Sequence, residues 1–340
     1  MAAGLGFKDF VTGEVLTSGD VDGYLMQGVW VFADAAARTA AVTSPQEGNM
    51  SYLKDTNSTE YYSGSAWVAI SGGTAGSLVN ILLNSNFALN QRGYVSAANL
   101  ASGAYGFDRW KSNFTSTTLT FTASTQGQSL TINSGGGIEQ IIESGLVPAG
   151  TYTLSWTGTA TARVYNTGAT PPSYAASPVT FTADGLANVE VEFTASGGTR
   201  TVSKVQFNAG TNTVWSLATP TLQTELAACQ RYYQKSFEYS IAPANNTTST
   251  LGALTFARQA SSGSVEPQVT MPNRVSMRVA PTITLFNYFT GTAGQWSDGS
   301  TVGANARVIH AAQNSFTVDN TDVALAVANA QIHYTADSEL

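Results

Sequence analysis

At 340 residues, 43% of them hydrophobic, the chain is long enough for substantial cores and too long for one small sandwich, so two or three domains are expected. Only 11% of residues are charged and the net charge is −7; the Lys and Arg residues never form a run of three, which excludes the basic footprint of a nucleic-acid binder. No apolar run approaches the length of a membrane span, and the first residues lack the basic stretch of a signal peptide, so neither membrane insertion nor a leader is expected.

Residues 1–32 carry a turn signal every few positions (Thr12-Gly13, Ser18-Gly19, Asp22-Gly23) between isolated large apolar residues. Phe7, Phe10, Leu16, Tyr24, Leu25 and Trp30 are anchors with no periodicity and no core of their own, and they read as an arm that docks on a partner. Residues 33–71 read as a small β-meander module. Asp34 can cap a short alanine-rich helix, and strands are expected at 48–53, 60–62 and 66–70. So small a module buries little surface and calls for neighbours, which identical subunits around a threefold axis would supply. Residues 72–77 are a Gly/Ser linker.

Residues 78–340 read as a mainly β region of sandwich or jelly-roll type, either one sandwich or two. Thr151–Trp156 alternates with Tyr152, Leu154 and Trp156 on one face, and Val189–Phe193 points Val189, Val191 and Phe193 inward with Glu190 and Glu192 out to solvent. One amphipathic helix is expected at about 220–235, with Thr219 as cap, Pro220 in the first position, and Leu222, Leu226, Cys229 and Tyr233 along one stripe. Strands resume to the end, with Tyr288–Trp296 as a loop. Cys229 cannot form an internal disulfide and reads as a small buried hydrophobe.

The residues that chemistry requires are sparse. The two histidines, His310 and His333, are far apart in sequence and far from Cys229, and no metal-binding motif is present, so no metal and no cofactor are expected. There is no nucleophile elbow and no phosphate loop. Glycoside hydrolysis needs a spaced carboxylate pair in a cleft. The pairs Glu139/Glu143 and Glu190/Glu192 read instead as solvent-facing, so no catalytic residue is assigned and the chain is not expected to be an enzyme. Saccharide contact is easier to satisfy, since it needs exposed aromatic faces with a few polar partners. Trp296, Tyr288 and Asp298 in one loop, and Tyr165 and Tyr174 bracketing another, are the candidate ligand-binding residues.

Three motifs then stand in order. Leu83-Asn-Ser-Asn-Phe-Ala-Leu-Asn-Gln-Arg-Gly93 with Gly106-Phe-Asp-Arg-Trp110 resembles the opening of a jelly-roll, carbohydrate-binding-like domain of bacteriophage tail fibres and tail-attached proteins. The stretch from Glu225 to Ser236 is similar to the helix that follows in that family, and Ser276-Met-Arg-Val-Ala-Pro-Thr282 to its closing signature. The N-terminal Gly6–Glu14 and Val21–Gly28 resemble fibre adaptor arms. The resemblance implies a virion component assembled in the host cytoplasm, attached through its N-terminus to tail or baseplate proteins, forming a homotrimer and contacting host-surface glycan. A glycan-degrading tailspike (hydrolase or lyase) and a capsid or neck decoration fibre are the alternatives. The family brings no catalytic residues. Asn84 or Asn86 is expected to hold a tight bend, and Asp108 and Arg109 to brace the turn beside Trp110 as an ion pair.

Overall fold

The computed structural model describes residues 11–21, 28–70, 80–122, 124, 127–244, 247–257, 268–297, 303–320 and 329–340. The chain divides into two compact units, Met1–Ser77 and Leu78–Leu340. Of the expected docking anchors, Phe7, Phe10, Tyr24 and Leu25 lie outside the described residues, as does Asp298 of the ligand-binding set.

In the first unit, β1 (Val29–Phe32), β2 (Met50–Leu53), β3 (Ser58–Tyr62) and β4 (Trp67–Ile70) form one sheet in chain order. The pair β1–β2 is parallel and the others antiparallel. A parallel pair needs a crossover. The helix Ala35–Ala41 lies within it, and Asp34 accepts the Ala37 N–H at 2.7 Å as its cap. The module has four strands where its pattern predicts three. The fourth, β1, comes from the stretch assigned to the arm, so Trp30 sits in a sheet and is half-buried, whereas Leu16 is exposed. On one face of the sheet Arg38 pairs with Glu60 and lies 4.6 Å over the Trp67 ring. The register places Val29, Val31, Tyr61, Val68 and Ile70 together on the other face, each 39–57% exposed.

The second unit opens with a sandwich. Its strands are β5 (Asn99–Ala101), β6 (Lys111–Ser112), β7 (Ser116–Thr120), β8 (Leu130–Ile132), β9 (Gly137–Ile142), β10 (Gly150–Gly158), β11 (Thr161–Asn166), β12 (Val179–Ala183), β13 (Val189–Thr194) and β14 (Arg200–Ala209). One sheet has the order β12-β10-β14-β8-β7-β5 and the other β11-β13-β9-β6, all antiparallel. Period-two alternation sends Leu154, Val191, Phe193 and Phe207 into a common core. Trp110 and Trp156 both pack on Phe193 there, with ring centroids 6.0 and 5.1 Å away.

The helix spans Leu222–Gln230, shorter than the stretch to 235 expected from its stripe. Thr221, not Thr219, is its cap, in a reciprocal box with Thr224. The chain leaves the helix early because Tyr233–Lys235 (β15) pairs with the last strand, and that ladder outweighs helix propensity. Beyond it lie β16 (Leu254–Ala257), β17 (Gln268–Pro272), β18 (Thr282–Asn287), β19 (Gln295–Ser297), β20 (Gly303–Ala311), β21 (Ser315–Asn320) and β22 (Asn329–Asp337). These make a separate curled sheet in which β22 pairs with β15, β16, β18 and β19. Its own core holds Leu285, Trp296, Phe316 and Tyr334. The region after residue 78 is therefore one sandwich followed by one curled sheet. The stretches 237–241 and 276–279, read as strands, are turns and irregular backbone.

Candidate functional site

The motif residues converge on the joint between sandwich, helix and curled sheet. Asn84, at φ +52, donates through Nδ2 to the carbonyls of Leu89 and Asp108 and accepts the Leu89 N–H, so one amide closes the bend. Trp110 Nε1 donates to the Asn84 carbonyl at 3.1 Å. Glu225 on the helix accepts from the N–H of Asn84 and from the N–H and hydroxyl of Thr219. The expected Asp108–Arg109 ion pair is replaced by two longer-range ones. Asp108 faces Arg92 at 3.8 Å, while Arg109 pairs with Glu339. Arg92 also reaches Asp337 at 3.0 Å and lies 3.8 Å over the Tyr233 ring; Arg109 lies 3.6 Å over Tyr232. The closing motif joins in through Arg278, which donates to the Ser338 carbonyl at 2.8 Å and, by its backbone N–H, to Arg231. These side chains are occupied in welding the unit together.

Tyr165 and Tyr174 do come together, beside the two glutamates read as solvent-facing. Lys111, Glu139, Glu192 and Arg163 form one row in register across β6, β9, β13 and β11. The Tyr165 hydroxyl lies 2.6 Å from an oxygen of Glu190 and of Glu192, Tyr174 donates to Glu192 at 2.8 Å, and Arg163 Nε does so at 2.5 Å. Alternation did point Glu192 away from the core, but these partners cover it. Glu192 is 4% and Glu139 8% exposed, so neither offers an edge to a saccharide. Burial alone would raise the Glu192 carboxyl; the bonds from Arg163, Tyr165 and Tyr174 outweigh it and hold it low. Glu139 is pushed up by burial, against the opposing charge of Lys111 at 3.2 Å. With Glu190 they place three carboxylate oxygens within 4.8 Å, a donor set that suits a hard divalent cation. Here Lys111 and Arg163 already supply the counter-charge and the two phenols fill acceptor positions.

The surface feature best suited to a ligand lies on the other sheet. A cavity of about 450 Å³ is lined by Ser155, Trp156 and Thr157 of β10, Lys204 of β14, Ser177-Pro178, and Thr213 and Trp215 from the segment after β14. The register between β10 and β14 shifts between Ser155 and Thr157, where β14 carries one extra residue. Lys204 sits at that bulge with φ +49, exposed, its Nζ 6.0 Å from the Trp215 ring centroid. Trp215 is half-buried and donates to Ser85 Oγ at 3.3 Å. Trp156 is tied to the Ala160 carbonyl at 3.0 Å, and Ser177 accepts the Trp156 N–H. A second cavity, about 340 Å³, is bounded by Tyr94, Phe121, Gln128 and Tyr239.

Trp296 is 2% exposed in the core of the curled sheet, so it has no free face for a ligand; it lies on β19 rather than in a loop. Tyr288 is half-buried against Phe289. His333 is a buried strand residue stacked on Phe237 at 4.0 Å and His310 an exposed one. Sequence pattern alone does not single out Trp215 and Lys204. The available signal is an aromatic in the loop-like Thr211-Asn-Thr-Val-Trp215, just past a strand whose alternation breaks at Lys204, since Val202 and Val205 both face the core.

No family model matches the chain, and no curated protein does. Among solved structures, an enzymatically active domain of tailspike protein 4 from bacteriophage CBA120 is 12% identical over 39% of this chain and 22% of that one, at a TM-score of 0.24. Discoidin II of Dictyostelium discoideum is 11% identical over 78% of this chain and 98% of its own, at 0.15. A cycloisomaltooligosaccharide glucanotransferase of Paenibacillus sp. in complex with cycloisomaltoheptaose is 8% identical over 72% and 46%, at 0.18. The chain thus spans about a fifth of the tailspike domain's length, and likenesses this weak carry no argument about function.

Proposed function

We propose that the chain is a structural subunit of a bacteriophage virion, a tail fibre or spike that docks on tail or baseplate proteins through its N-terminal unit and contacts host-surface glycan through the sandwich. The observation that carries this reading is the cavity beside Trp215 on the β10–β14 face of the sandwich. The half-buried indole of Trp215 beside the hydroxyls of Ser155, Thr157, Ser177 and Thr213 matches the apolar and polar faces of a sugar ring, while Trp156 closes the cavity floor with its ring turned into the core. The ordered motifs of the second unit and the open apolar sheet face of the first support it. In this reading the subunit is a homotrimer, and its place is the virion.

Saccharide binding followed by tryptophan fluorescence tests the contact. Trp215→Ala is expected to abolish the response while leaving the fold intact, and a response unaffected by that change would overturn the assignment of the site. Labelling the N-terminus on particles tests the docking, with label expected at the tail. Label on the capsid or neck would favour a decoration fibre, and shortening of the saccharide on incubation a degrading spike.

A further inference from the structure

We infer that the Trp156–Trp215 cavity takes an acidic saccharide, one bearing a carboxylate on the ring, with Lys204 as its counter-ion. The inference rests on the reading of this cavity as a glycan contact and adds the charge class of the sugar.

Three observations carry it. First, Lys204 has no carboxylate partner among the described residues, a condition it shares with Lys54, Arg200 and Lys235, but among the cavity's lining residues it is the one charged side chain. In a chain of net charge −7, an unpaired cation at the rim of a cavity with no acid in its lining is a local reversal of sign. Second, its ammonium stands over Trp215. A carboxylate paired with it would bring the attached sugar ring beside the indole face. Third, the backbone at Lys204 is left-handed, at φ +49. Glycine adopts that conformation freely and a lysine does not, so the bulge that aims the Lys204 side chain at the cavity carries local strain. One flexible ammonium with neighbouring hydroxyls suits a singly charged carboxylate. A phosphate ester with near-double charge is better met by several donors or a forked guanidinium, and the lining has no arginine.

The test titrates the full chain with methyl hexosides and methyl hexuronides paired in the gluco, galacto and manno series, each pair differing only at C6, with tryptophan fluorescence as readout. At low salt one hexuronide is expected to bind roughly five-fold tighter than its hexoside, as befits a solvent-exposed ion pair, with the margin shrinking in high salt. Lys204→Met should erase the margin and leave hexoside binding in place. Lys204→Gly should erase it too, while raising the melting temperature by relieving the left-handed strain. Equal binding of both members of every pair, or a margin that survives Lys204→Met, overturns the inference and leaves the glycan contact standing. No response to any of the six sugars overturns the contact and the inference together.

Discussion

Asp108 is the residue at which burial and pairing are most finely opposed. Its carboxyl is fully enclosed, and burial pushes it up to about 6, while Arg92 and the Gln91 N–H pull the other way without prevailing. A carboxyl raised in the folded state binds its proton more tightly than in the unfolded chain. Stability therefore rises as the pH falls through about 6 toward the unfolded value near 3.8. Between pH 7.5 and pH 5 the gain from this one group is about 1.4 kcal/mol, and Asp108→Asn should remove it. Glu139 and Glu225 are raised as well and add to the same slope in both proteins, so the difference between wild type and variant isolates Asp108. Urea melts at the two pH values read it out, and parallel curves would refute it. Glu225 belongs to the same scale. Its carboxylate is the acceptor for the buried N–H of Asn84 and for Thr219. Glu225→Ala strands those donors and is expected to cost about 2–4 kcal/mol, against roughly 1 for Glu225→Gln, which keeps one acceptor. Equal melting of the two variants would show that hydrogen bonding is not the cause.

At the scale of elements, the terminal strand β22 and the residues after it strap the curled sheet to the sandwich. Arg92 and Arg109 both turn to Glu339, and the Arg109 and Glu339 side chains are 2% and 5% exposed. Glu339→Ala would leave guanidinium groups buried without their principal counter-ion, a change expected to cost about 3–5 kcal/mol. Glu339→Gln should cost less, because it keeps the packing and one acceptor. Chemical denaturation of both variants checks the order, and a neutral Glu339→Ala would mean the strap is held by packing alone. Local pattern made the mainly β fold legible. The alternation in Val189–Phe193 and Thr151–Trp156 reports which side of a strand faces the core, and the structure keeps those sides. What alternation cannot report is what later covers an outer face. Glu192 points outward as its position dictates, yet Tyr165, Tyr174 and Arg163 enclose it, and only the fold brings them there. The same limit explains the helix end. Tyr233 continues the apolar stripe in sequence, but a strand about a hundred residues later claims it. Trp296 looked like a loop residue because Gly291 and Gly294 precede it, and these serve a short turn that returns the chain into the core.

For the whole molecule, scarcity of charge is the organising fact. Most of the ion pairs named above are used inside the second unit, around Arg92, Arg109 and Arg163, and the outer surfaces rely on hydroxyl and amide groups. That unit holds two hydrophobic cores and the welded joint between them, all within Leu78–Leu340. The first unit has a thin sheet with one face covered and Val29, Val31, Val68 and Ile70 open on the other. Burial of apolar surface dominates folding, and the two units differ sharply in how much of it they achieve alone. Residues 78–340 expressed without the first unit should therefore fold and melt as the full chain does. A fall of more than about 5 °C, on the order of 1–2 kcal/mol for a domain of this size, would show that the first unit contributes to the stability of the second. Residues 1–77 expressed alone should self-associate, because an open face of valine and isoleucine is what a sheet buries against another surface. Light scattering across a range of concentrations reads this directly, and Val31→Lys with Ile70→Lys, which put charge on both edge strands of that face, should restore a monomer. A wild-type fragment that stays monomeric at high concentration would mean that the face is compatible with water as it stands, and the case for its docking role would fall with it.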